Sequence, residues 1–168
     1  LQDRALDALV VDIRSLRPSA DLRVEQVMEV PGAFMCRKGH PLAGQRAVTF
    51  DQVLKYPIAS TPLSDELARL LIERYGPQAD PQHMVKLSSE EISHLNDVAL
   101  GSDAVLFAIR AAGPQLVEIA IDPPFQGVAR LGLVTVARRS EMAFLPEVRA
   151  LMEQVLGPLR VRARPLRK

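Results

Sequence analysis

An α/β fold with a mostly parallel sheet is what this 168-residue sequence predicts. Short apolar runs alternate with segments whose apolar residues recur at helical spacing. The helical segments open on capping residues with acidic first turns, and several close on glycine. Two of the runs, around Ala8–Ile13 and Asp103–Ile109, read as strands covered on both faces.

In chain order, Leu1 to Leu6 reads as the end of a helix, followed by the strand Ala8–Ile13. Leu22 to Val30 mixes apolar and charged residues and reads as a more exposed strand, closed by Pro31-Gly32. Ala33 to Arg37 is a further strand. Thr49 and Gln52 have the spacing of a capping box, so a short helix runs to about Leu54. Pro57 to Ser60 is a strand that leads through Thr61-Pro62-Leu63 to Ser64, the cap of a clear helix. That helix buries Leu67, Leu70, Leu71 and Tyr75 and ends at Gly76-Pro77. Gln82 to Leu87 is a strand, and Ser88 and Glu91 again have capping-box spacing. Ile92, Leu95, Val98 and Ala99 form the buried face of the helix that follows, to Gly101. Strands are expected at Asp103–Ile109, Leu116–Ile121 and Leu131–Ala137. A last helix begins near Pro146, buries Val148, Leu151, Met152 and Val155, and stops at Gly157-Pro158.

Composition narrows the function. The chain is 48% hydrophobic and 24% charged, ordinary for a globular protein. With 4% aromatics and no Trp, it offers no stacking surface for single-stranded nucleic acid. Net charge is +1, but Arg160, Arg162, Arg164, Arg167 and Lys168 cluster at the end. Without them 16 basic residues face 20 acidic ones, a net −4, so the body has no electrostatic footprint for DNA. The basic tail, 158–168, reads as a solvated, disordered end. No apolar run reaches the roughly 18 residues of a membrane span, and no signal peptide is visible. The single Cys36 fits a reducing cytoplasm. The first residue is Leu1 rather than Met, which reads as a piece of a longer protein.

No Walker loop, GxGxxG or GxSxG is present. His40, His83 and His94 have no metal-ligand spacing to one another or to Cys36, so neither a metal nor a cofactor is expected. Cys36 and His40 are close enough in sequence to weigh as a nucleophile–base pair, but a buried structural thiol is favoured. What remains is a pair of strand-to-helix junctions rich in hydroxyls: Ser60, Thr61 and Ser64 at one, Ser88 and Ser89 at the other. In open α/β sheets, ligands sit beyond the carboxyl ends of strands, facing helix N-termini. Free N–H groups and small hydroxyls there hold polar groups. The plainer alternative is that Ser64 and Ser88 only cap helices.

Leu6-Asp7-Ala8-Leu9-Val10-Val11, Gly39-His40-Pro41-Leu42-Ala43, Val48 to Ile58, Leu100-Gly101-Ser102-Asp103-Ala104-Val105, Arg138-Arg139 and Phe144-Leu145-Pro146 come in an order that resembles the effector-binding domain of LysR-type transcriptional regulators. The likeness covers about residues 1 to 157. The family's helix-turn-helix and linker helix are missing from it, as are the first strand and most of the first helix of the effector domain.

The resemblance implies a two-lobed, periplasmic-binding-protein-like fold with two crossover strands, near Ala33–Arg37 and Ala129–Val134. Lobe one would be residues 1–32 plus 131–157, and lobe two 33–130. A small-molecule effector would lie between the lobes against Ser60, Thr61, Ser64, Ser88 and Ser89, with Phe107, Ile109 and Arg110 as further wall. It also implies a cytoplasmic homodimer or homotetramer without enzymatic activity, touching DNA only through an N-terminal domain outside this chain. Two alternatives stand beside it: a solute-binding protein of transport, and a small α/β enzyme using Cys36.

Overall fold

The structure is a computed structural model that describes residues 7–17, 19–136 and 143–159. The expected helix end at Leu1–Leu6, Ala137, the pair Arg138-Arg139 and the tail beyond 159 lie outside the described residues. The chain divides into two compact units, one holding the chain up to Pro31 and from Ala129 on, the other Gly32–Val128. Among the described residues, the seven strands β1 (Ala8–Asp12), β2 (Leu22–Cys36), β3 (Ile58–Ser60), β4 (Val85–Ser88), β5 (Val105–Ile109), β6 (Val117–Glu118) and β7 (Val128–Val136) occur in the order β1-β7-β2-β5-β3-β4, with β6 paired to β2. This is a mixed α/β fold.

In the first unit, β1 (Ala8–Asp12) pairs antiparallel with β7 (Val128–Val136), Val10 opposite Leu133. β1 ends the sheet order and is only half-buried, with Val10 41% exposed, so it is not the strand covered on both faces that its apolar run suggests. The helix α5 (Leu145–Leu156) carries Pro146 in its first turn. It buries Leu145, Met152 and Leu156, whereas the expected Leu151 and Val155 are 59% and 49% exposed. The stripe turned inward lies one residue beyond the one the pattern suggests, about 100° around the helix. Glu25 ties this unit together: it accepts from Arg149 at 3.0 Å and from Thr135 Oγ1 at 3.2 Å.

The strand β2 (Leu22–Cys36) is continuous where the sequence suggests two strands split at Pro31-Gly32. Proline removes only its own donor, and Gly32 N–H restores the ladder by donating to the Gly127 carbonyl at 3.0 Å. The second unit is built on the inner part of this strand. β5 (Val105–Ile109) and β6 (Val117–Glu118) pair with it antiparallel. β3 (Ile58–Ser60) runs parallel to both β5 and β4 (Val85–Ser88). The expected mostly parallel sheet is therefore mixed: among the described strands β1/β7, β2/β5 and β2/β6 are antiparallel, while β3 runs parallel to both β4 and β5.

The helices of this unit are α1 (Phe50–Val53), α2 (Asp65–Tyr75), α3 (Pro81–Met84) and α4 (Ile92–Gly101). Thr49 and Gln52 close the expected capping box, and Ser64 caps α2. The expected strand at Gln82 begins instead with the turn α3, because the Asp80 carboxylate accepts from Gln82 N–H and Pro81 fills the first helical position. The expected strand at Leu116–Ile121 shrinks to the two residues of β6, beyond which Val48 and Ile121 form an isolated bridge. Val98, expected inside, is 39% exposed.

Alternation along β2 and β5 sorts side chains to two faces. Phe34, Cys36, Val105 and Phe107 join Phe50, Ile58, Leu71 and Tyr75 on one side. Ala33, Met35 and Leu106 join Leu95 and Ala99 on the other. His40, 3% exposed, fastens the turn after β2: its Nδ1 accepts from Leu42 N–H and its Nε2 donates to the Asp103 carbonyl at 3.2 Å. Arg37 bonds Asp103 at 2.6 Å and the Ser102 carbonyl beside it.

Candidate functional site

The register places the sequence-predicted residues along one end of the sheet of the second unit. Ser60 lies beside Ser88 on one side and Phe107 on the other, and Ile109 lies opposite Gly32. Both hydroxyl junctions therefore open on the same end, side by side on adjacent parallel strands. It is also the end at which β2 enters this unit, at Gly32, and at which the chain leaves it, at Val128.

The side chains divide into engaged and open ones. Ser60 is fully buried and donates to the Phe107 carbonyl at 2.9 Å. Ser64 caps α2 by accepting from Leu67 N–H. Ser88 is exposed and caps nothing: α4 starts at Ile92, with Glu91 as its uncapped N-terminal residue. Ser89 takes the local role instead, accepting from Glu91 N–H at 3.0 Å, while Glu91 accepts from Ser93 Oγ. A serine that satisfies the backbone two residues on favours a turn over a helix start, which delays the helix. Thr61 is half-buried. Phe107 is a core residue, packed at 4.5 Å on Phe34. Ile109 is half-buried, and Arg110 is exposed and ion-paired with Glu118.

Beside this edge lies a groove of about 240 Å³ that the sequence reading missed. Gly32 and Phe34 of β2 form part of it, with Glu118, Ile119, Ile121 and Phe125. Phe125 is seated over two glycines. A Cβ on Gly127 would stand 2.2 Å from its ring, and one on Gly32 would stand 3.3 Å from it. The segment before the ring is held by the end of α2: Tyr75 Oη donates to the Pro123 carbonyl at 3.0 Å and Arg74 to that of Pro124 at 3.1 Å. Burial pushes the Tyr75 hydroxyl up to about 12, so it stays a donor at neutral pH. The one signal for this groove in the sequence is Pro123-Pro124-Phe125-Gln126-Gly127, a stiff turn carrying an aromatic residue.

Cys36 lies elsewhere, fully buried, and burial raises its thiol to about 11. Both ring nitrogens of His40 are engaged with backbone groups, so the two form no nucleophile–base pair. No helix among the described residues is long and apolar enough to cross a membrane.

The chain is 32% identical over 110 residues, 64% of its length, to the SDS degradation transcriptional activation protein of Pseudomonas sp. (strain ATCC 19151). It spans 35% of that protein. Its fold matches HinK, a LysR family transcriptional regulator from Pseudomonas aeruginosa, with a TM-score of 0.61 at 15% identity, covering 95% of this chain and 55% of that one. It also matches the effector binding domain of QuiR, solved in complex with shikimate, with a TM-score of 0.56 at 14% identity, covering 95% of this chain and 74% of that one. The family model for the LysR substrate binding domain matches residues 1–159. With nearly its whole length matched by that model, the chain belongs to the LysR substrate binding domain family.

Proposed function

We propose that this chain is the small-molecule sensing part of a LysR-type transcription regulator and carries out no catalysis. The reading rests on one observation beyond the family match: the hydroxyl-bearing strand ends and both chain crossings share one end of the sheet of the second unit. A ligand bound there acts directly on the backbone that continues into the other unit. Thr61 and Ser88 contact the effector, while Ser60, Ser64 and Ser89 shape the loops that present them. Phe107, Ile109 and Arg110 back the site through the strand they share.

Occupancy shifts a population between two arrangements of the connecting strands. A hundredfold preference for one of them corresponds to about 2.7 kcal/mol, within reach of a few hydrogen bonds. The parent regulator works in the cytoplasm as a homo-oligomer and touches DNA through a helix-turn-helix elsewhere in its chain. The QuiR domain in complex with shikimate supports a small polar metabolite as the effector.

Calorimetric titration with a metabolite panel that includes shikimate tests this. The expected result is saturable binding of one metabolite, weakened about tenfold or more in the Thr61→Val, Ser88→Ala double variant with little change in melting temperature. Unchanged affinity in that variant removes both residues from the site.

A further inference from the structure

We infer that Phe125 is a specificity-determining wall, and that its groove takes a flat, uncharged ring of the effector. The inference rests on the effector reading for its purpose, but its geometry stands apart from the hydroxyl edge.

The rings of the second unit form a ladder that ends in this groove. Phe50 stacks on Tyr75 with centroids 4.4 Å apart and planes 7° apart. Tyr75 stacks on Phe125 at 6.4 Å and 27°. Phe34, Phe50, Tyr75 and Phe107 are buried in the core, whereas Phe125 is only half-buried and lines the groove. A stacked series whose last member borders open space is completed by one more flat ring, and offset stacking rewards planarity.

The wall is fixed in place. A Cβ at Gly127 would collide with the Phe125 ring, and Phe107 meets that ring edge-on at 5.4 Å. The loop before it is bonded to Arg74 and Tyr75. A wall held in this way selects by shape, because it cannot move aside for a thicker ligand.

Size and polarity set the rest. A cavity of about 150 Å³ lined by aliphatic and aromatic side chains accepts benzene. The 240 Å³ here holds one ring with a small substituent. Phe34, Ile119 and Ile121 are almost fully buried, so the half-buried Phe125 gives the ring its apolar surface, and the charged Glu118 is paired with Arg110. The ring that enters is therefore uncharged, and any charge of the effector stays outside the groove.

Amide NMR titration of this chain with benzyl alcohol and with cyclohexylmethanol, its saturated counterpart, tests the inference. Saturable shifts are expected at Gly32, Ile119 and Gly127, with benzyl alcohol bound about two- to tenfold more tightly. Phe125→Leu should remove that preference, and Phe125→Tyr, which keeps a ring, should retain it. Equal binding of the two probes, no saturable binding, shifts confined to other residues, or a preference that survives Phe125→Leu overturns the inference. If Phe125→Leu does not fold, Ile119→Ala replaces it: a weakened but still selective site is expected, and unchanged affinity overturns the inference. Failure with benzyl alcohol removes the ring subsite and leaves Thr61 and Ser88 as they were. Failure of the metabolite panel at Thr61 and Ser88 leaves the ring preference standing.

Discussion

The Ser60 hydroxyl donates a 2.9 Å hydrogen bond to the carbonyl of Phe107 on the neighbouring parallel strand. A hydroxyl that looks available at a strand end thus holds β3 to β5 from inside the sheet. Ser60→Ala should lower stability by about 1–2 kcal/mol, since a buried acceptor loses its partner. Ligand affinity should change little. Urea unfolding and calorimetry measure the two separately, and a variant of wild-type stability with weakened binding would mean that Ser60 meets ligand directly.

His40 joins the turn after β2 to the start of β5 through two backbone partners, Leu42 N–H and the Asp103 carbonyl. It also packs edge-on against Tyr56 at 4.4 Å. His40→Ala should cost about 2–4 kcal/mol, by leaving buried backbone groups unpaired and opening a cavity. His40→Gln, which keeps a donor and an acceptor, should recover part of that loss. Thermal unfolding of the two variants checks this, and equal losses would assign the effect to ring packing alone.

Alkaline pH should weaken the fold through two buried groups, Cys36 and Tyr75. Folding holds the Cys36 thiol at about 11 against an ordinary 9.0, and the Tyr75 hydroxyl at about 12 against 10.0. Both groups bind their protons more tightly when folded. Their contribution is full below the unfolded values and is lost as pH rises from about 9 to 11 for Cys36 and from about 10 to 12 for Tyr75. Each contributes on the order of 2 kcal/mol. Urea midpoints measured from pH 8 to 11 should fall in the wild type and fall less steeply in Cys36→Ala. Identical slopes would exclude the thiol as the cause.

Local signals were read well because local physics sets them. Thr49 and Ser64 cap helices with their own side chains, and Leu67, Leu71 and Tyr75 share one face by periodicity alone. Errors came where a distant strand decides. Pro31-Gly32 suggests a break because the local sequence does not display Gly127 as a partner, whose carbonyl carries the ladder past it. Strand direction followed the same rule: β2 runs against β5 because it enters from the other unit, a fact of topology rather than of composition.

The candidate site was legible in part for the same reason. End-of-strand reasoning puts both hydroxyl junctions at one end of the sheet, and the register sets Ser60 beside Ser88 there. It did not distinguish the engaged hydroxyls of Ser60 and Ser64 from an exposed one such as Ser88. The spacing of Ser88 and Glu91 matched a capping box, but Ser89 formed a local turn first. The surroundings of Phe125 are not legible in the sequence, because Gly32 and Gly127, one distant and one near, meet its ring only in the fold.

That glycine pair also constrains any effort to retarget the sensor. Positions 119 and 121 line the groove and also belong to the buried core, so a library varying them recuts its shape at some cost in packing. Positions 32, 125 and 127 interlock as backbone, ring and backbone, and no single exchange among them leaves the other two at rest. New ligand preferences are within reach through the isoleucines, while the floor beneath the aromatic wall has to be inherited whole.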